Sequence, residues 1–298
     1  MINKYISIIL TNIVAAIIFS SCTAPIDIKT RNSEPVIVIY GQITDEYKYQ
    51  YIRITSSSPY FDEKMSPMIS GAVVRVASTD GELFRFYEEK NGYYVSENPF
   101  AARSGMTYNL TVEVDFDKDG EIEKYEASTT ILPVTPVDSV DIKPVTIMGY
   151  RHFSMNFYMQ DPSEIENFYL CVFYINDSLT NNKLSQYLYS DDLMYNGEYV
   201  DGASITYFED ATDEKNLTAP RADEEGNYMV SPGDKIRLQM LNIEKGYYNF
   251  ITECISEKYG ENPFFGGPPS NISTNLSNGA VGYFTGFCLQ EHMTTVPF

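Results

Sequence analysis

Tryptophan is absent from the 298 residues, and histidine occurs only as His152 and His292. Without tryptophan the chain lacks the largest ring available as a sugar platform. Two isolated histidines exclude a zinc site built on imidazoles. The four cysteines, Cys22, Cys171, Cys254 and Cys288, form no Cys-x-x-Cys pair, which removes zinc ribbons and dithiol redox motifs. No Gly-x-Ser-x-Gly elbow occurs, and no Gly-rich loop ends in Lys-Ser/Thr. Carboxylates are plentiful, but abundance sets no spacing for a glycosidase pair. The expectation is a chain with no catalytic residues. Positive charge is also scarce: 21 Lys and Arg against 41 Asp and Glu give a net charge of −20. Such a chain repels phosphate backbones, so no nucleic-acid partner is expected.

Long hydrophobic runs are missing except at the N-terminus. There Lys4 precedes "YISIILTNIVAAIIFSSC", whose apolar part is short for a bilayer span and ends at small residues before Cys22. A cysteine directly after Ser20 and Ser21 marks a bacterial lipoprotein signal over residues 1–21. Cys22 then becomes the first mature residue and takes acyl chains, palmitate among them, as its anchor. An ordinary cleaved signal or a single helical anchor is the alternative. The expected location is the cell envelope, as an outer-membrane lipoprotein on either leaflet. Residues 22–35, including "TAPIDIKTRNSEP", read as a polar tether.

What is present is β-forming: 25 tyrosines and 17 phenylalanines. "YQYIRITSSSPY" alternates Tyr49, Tyr51, Arg53 and Thr55 against Ile52 and Ile54. "SGAVVRVAST" and "GELFRFYEE" flank the turn "TDG". Residues 36–132 are therefore predicted to form an antiparallel, immunoglobulin-like β-sandwich. The three prolines of "LPVTPVDSVDIKP" place a linker at 133–144, and 145–298 is predicted as a second β-rich domain. Its minor helical element is "EKGYYNFITECISEKYG", with Tyr248, Ile251, Cys254 or Ile255, and Tyr259 near one face and Gly260 as cap.

"DFDKDGEIEKYE" carries the spacing of a calcium loop, with Asp115, Asp117, Asp119 and Glu121 or Glu126 as oxygen ligands. Its flanks read as strands instead of helices, and "DKDG" is also ordinary hairpin chemistry. Structural calcium and a solvated hairpin tip both stand at this point, and no other cofactor is expected. Outside the cytoplasm Cys254 and Cys288 form a candidate disulfide, with three free thiols as the alternative. Candidate contact residues are Tyr187, Tyr189, Tyr195 and Tyr199 of a Tyr-rich stretch, and Phe264 and Phe265 of "NPFFGG". The plainer reading makes these strand tyrosines and core phenylalanines.

The pieces "VIVIYGQITDE", "ISGAVVRVASTDGELFRFYEEKNGYYVS", "YEASTTILPVTPVDSV" and "PPSNISTNLSNGAVGYFTGF" resemble, in order, a Bacteroidota lipoprotein family, domain of unknown function 4249. The "G-A-x-V-x-V" strand followed by "G-x-Y", and the late "N-G-x-x-G-Y-F", are the most specific parts. The resemblance implies an envelope lipoprotein whose partner is a TonB-dependent transporter, assisted in capturing a ligand of unknown identity. It supplies no catalytic residues. The rival expectation is a structural or adhesive surface protein with no transport role.

Overall fold

The computed structural model describes residues 34–58, 65–218, 228–259 and 272–298. The signal, Cys22, Gly260, Phe264 and Phe265 lie outside these residues. Among the described residues no helix is long and apolar enough to cross a membrane.

The chain is mainly β. Eight strands, β1 (Ile37–Thr44), β2 (Tyr51–Ser56), β3 (Val73–Ser78), β4 (Leu83–Lys90), β5 (Tyr93–Ser96), β6 (Thr107–Val114), β7 (Glu123–Thr130) and β8 (Val137–Ile147), lead the order. Next come β9 (Tyr150–Gln160), β10 (Phe168–Ile175), β11 (Ser178–Leu179), a 3-10 turn (Leu184–Gln186), β12 (Leu188–Asp191) and β13 (Tyr199–Asp210). The remainder is α1 (Glu214–Thr218), β14 (Met229–Val230), β15 (Lys235–Asn242), α2 (Lys245–Tyr259), β16 (Val281–Phe287) and β17 (Leu289–Thr295).

The first sheet runs β16-β1-β2-β5-β4-β3-β6-β7. It is one curled sheet, so the two-sheet immunoglobulin-like arrangement expected of residues 36–132 is not what the strands form. The alternation in β1 and β2 turns Ile37, Ile39, Ile43, Ile52 and Ile54 inward, where they meet Val76, Tyr108, Leu110 and Phe284 in a closed core. The two edges of the curl meet through side chains. Asn275 donates from Nδ2 to the carbonyls of Ser128 and Phe284, at 2.9 and 2.7 Å, and its Oδ1 accepts the Phe284 N–H. Both edges are thereby protected from pairing with another chain.

The second sheet, β11-β10-β15-β17 with β12 also on β10, is a middle layer. The run "FYLCVFYI" of β10 is buried on both faces. Tyr169, Cys171 and Phe173 face the third sheet, β14-β13-β9-β8, where Phe153, Met155, Met159 and Phe208 complete a core. Phe168 and Leu170 face the other way, onto α2 and the outside of the first sheet, with Tyr247, Ile251, Tyr283 and Phe287.

Two expectations are revised by this layout. Residues 133–144 are not a loose linker, because β8 begins at Val137 and Pro144 sits in it opposite Phe153. Proline is tolerated there because β8 is the edge of its sheet and its missing N–H costs no ladder bond. The stretch before it is pinned as well: Thr135 N–H donates to Asn242 Oδ1 at 3.0 Å, and Asn242 Nδ2 returns to Thr135 Oγ1 at 2.8 Å. Residues 281–287, expected in a second domain, pair in parallel with β1 of the first sheet.

Helix α2 forms where expected but is rotated about one residue. Tyr247, Phe250 and Ile251 are its buried residues, and Tyr248, Cys254 and Ile255 pack at the margin. The rotation follows the Tyr247 hydroxyl, which finds Tyr40 on β1 at 2.7 Å.

Candidate functional site

A wide opening lies where the outside of the first sheet meets α2 and the stretch around the 3-10 turn. Its volume is about 570 Å³, in the range of small-molecule sites. Strand pairing builds one wall. Tyr40 of β1 stands opposite Arg53 of β2, and Arg53 opposite Tyr93 of β5, so the three share a face; Gln42 and Tyr51 form the next row. The same alternation that buries Ile52 and Ile54 pushes Tyr51 and Arg53 outward. Asn182, Leu184, Tyr187 and Phe250 supply the opposite wall.

At the back the tyrosine hydroxyls form a network. Gln42 Nε2 donates to the Tyr40 hydroxyl at 2.6 Å and to the Tyr247 hydroxyl at 3.2 Å. Burial, then the neighbouring Tyr247 and Tyr187 phenols, holds Tyr40 well above the ordinary phenol range. Burial raises Tyr247 too. These groups are neutral at physiological pH and offer hydrogen bonds, not charge.

The mouth is cationic. Lys48 pairs with Glu46 at 2.5 Å. Gln50 fixes the loop that carries Lys48: its Nε2 donates to the carbonyls of Thr44, Glu46 and Phe100, the last at 2.9 Å. Lys90 Nζ lies 4.5 Å from the centre of the Tyr93 ring. Arg53 has no ion-pair partner among the described residues. A second lobe of about 290 Å³ continues inward between the first and second sheets, sharing Gln42, Thr44, Lys48, Asn182 and Tyr187 with the first. Thr44 lines both lobes at 6% exposure, and its Oγ1 is buried with no hydrogen-bond partner. An orphaned hydroxyl in a cleft wall marks a place for a ligand group.

Only Tyr187 of the expected contact tyrosines reaches this cleft. Tyr189 packs edge-on against Tyr248, ring centres 5.4 Å apart. Tyr195 stacks on Tyr169 at 6.4 Å in a smaller pocket of about 340 Å³ that Tyr189 also lines, and burial pushes its phenol up to about 12. Tyr199 is half-exposed on β13. Tyr40, Gln42, Thr44, Tyr51, Arg53 and Tyr93 were not among the residues singled out. The signal for Tyr51 and Arg53 was the polar face of β2.

Among the described residues Cys171, Cys254 and Cys288 are free thiols, so Cys254 and Cys288 form no disulfide here. Cys288 belongs to the core inside the first sheet and Cys254 to the layer outside it, so the sheet wall stands between them. Burial pushes both thiols up to about 11, which keeps them protonated. His292 is held below its ordinary range by burial.

At the acidic loop the chain turns between β6 and β7 with Lys118 and Gly120 at positive φ. Oxygens of Asp115, Asp117, Asp119 and Glu123 converge within 4.8 Å of one another. Of the five expected ligands three converge; Glu121 and Glu126 do not. On a strand Glu126 lies roughly 10 Å beyond Glu123, where it pairs with Lys124 at 2.6 Å. Glu123 instead turns back to accept the Phe116 N–H at 2.8 Å. Asp115 Oδ1 is buried without a partner, and the donor set, all carboxylate oxygen, fits a hard cation such as calcium. Millimolar calcium is expected to raise the melting midpoint by about 3 °C over chelator, a tenfold excess over the dissociation constant contributing about 1.4 kcal/mol. Asp117→Asn should remove the rise; an unchanged midpoint in wild type contradicts the site.

No curated protein matches the chain. A family match covers residues 23–290, and its description is Domain of unknown function (DUF4249). It spans both the curled first sheet and the layers behind it, and so every wall of the cleft. The chain belongs to the DUF4249 family.

Proposed function

We propose that this chain is a lipid-anchored binding protein of the outer membrane that captures a ligand in the tyrosine-walled cleft and assists a TonB-dependent transporter. The cleft carries the reading: it joins aromatic walls, the unspent Thr44 hydroxyl and a guanidinium with no ion-pair partner among the described residues in one opening of about 570 Å³. Such a combination binds without transforming, because rings give contact area and a few polar groups fix orientation. The titratable groups around it agree. Burial holds the Tyr40 phenol protonated, and among the described residues no carboxylate lines the larger lobe to serve as acid or base. The signal-like residues 1–21 and the Cys22 acceptor support the anchor, and the family resemblance supports the transporter as partner.

The test is affinity capture of the tagged, full-length protein from detergent-solubilised envelopes, with the neighbour identified by mass spectrometry. A β-barrel transporter in stoichiometric yield is the expected result. Recovery of self-assembled filaments or other surface chains, with no barrel, would replace this reading by a structural or adhesive one.

A further inference from the structure

Resting on that reading of the cleft, we infer that its ligand is a ring-bearing carboxylate, a monoanion recognised by Arg53. The chain carries a net charge of −20, yet among the described residues no acidic one lines the larger lobe, while Lys48 and Arg53 do. The local sign therefore opposes the global one. A field of that kind draws an anion into the opening that the rest of the surface repels.

The amount of charge is limited. Of the two cations among the described residues lining the lobe, Lys48 is neutralised by Glu46, which leaves Arg53 uncompensated. One free guanidinium balances one negative charge, and its planar fork matches a carboxylate in two parallel hydrogen bonds. A phosphate dianion would bring a second charge that no other uncompensated cation among these lining residues meets.

The ring requirement comes from the neighbours of Arg53. It stands between Tyr40 and Tyr93 in the strand register, with Tyr51 two residues before it on the same face of β2. A ligand whose carboxylate meets Arg53 lays its body on these phenols, and the stacking geometry suits either a sugar ring or an aromatic one. Thr44 Oγ1, buried and without a partner, receives or donates the next polar contact inward. Sugar acids and aromatic acids share this chemistry, so the experiment separates them.

Since the chain has no tryptophan, Tyr49→Trp places a single indole in the cleft wall. Its emission would be titrated with two matched pairs: galacturonic acid and its methyl ester, and 4-hydroxybenzoate and its methyl ester. The expected result is saturable binding of one acid, at least tenfold tighter than its ester. Arg53→Gln in the same background should erase that preference and leave the ester unchanged, and Arg53→Lys should retain part of it. Arg53 is exposed, so neither variant threatens folding. The responding pair identifies a saccharide or an aromatic ligand. Equal binding of acid and ester overturns the carboxylate assignment while leaving the cleft a binding site. Acid binding indifferent to Arg53→Gln also overturns it, as does no saturable response to either acid; envelope capture then judges the binding reading separately.

Discussion

Gly282→Val is expected to destabilise the protein by about 3–5 kcal/mol and to lower its melting midpoint by about 10 °C. Gly282 sits in β16 at φ +107°, in a region L side chains rarely adopt. A Cβ there would stand 2.2 Å from the Ile39 carbonyl oxygen and 3.0 Å from its carbon, both backbone atoms of β1. Backbone in a paired strand cannot step aside, so β16 must leave β1. With it go Tyr283, which packs on α2, and Phe284, at the centre of the first core. Gly279→Ala serves as the control, because Gly279 shares the positive φ but its Cβ would meet nothing within 4 Å. That variant carries strain alone, roughly 1 kcal/mol. Equal losses for the two would show that β16 is not held against β1 as described.

The second large effect concerns the anchor. With an ordinary cleavable signal in place of residues 1–21, Cys22→Ser is expected to move the protein wholly from the detergent phase to the aqueous phase. Acyl chains contribute about 0.8 kcal/mol per buried methylene, so two or more chains anchor stably and their loss releases the protein. Among the described residues no helix is long and apolar enough to cross a membrane. The mature wild-type N-terminal peptide should begin at Cys22 and carry the acyl mass. An unmodified thiol, or a mature N-terminus elsewhere, would remove the anchor from the account.

Local pattern made much of this molecule legible before its structure. Ile52 and Ile54 against Tyr51 and Arg53, and Phe153, Met155 and Phe157 in β9, declare their strands by period-two alternation alone. Long-range pairing was not legible. Residues 281–287 join β1 from across the chain, and no local signal distinguishes that partner from a strand of a second domain. Pro144 misleads for a related reason: a proline in an edge strand and one in a linker look alike until strand order is known. In the acidic loop the structure gathers Asp115, Asp117 and Asp119 with Glu123, a residue that the spacing of the motif does not single out, in place of Glu121 or Glu126. The cleft was half-visible. Tyr187 and the polar face of β2 were both in view, but only the curl of the first sheet against α2 brings them together.

The most direct test is photo-cross-linking in intact envelopes from a photoreactive residue at position 182, on the cleft wall shared by both lobes. A control at Met148, 95% exposed at the tip of the β8–β9 hairpin and outside the cleft, measures chance encounter. Under the proposed function a ligand handed to a barrel leaves through the cleft mouth, which then faces the barrel. A cross-link from position 182 to a TonB-dependent transporter, weak or missing from position 148, is the predicted result. Equal adducts from both positions, or none to any barrel, would contradict the account.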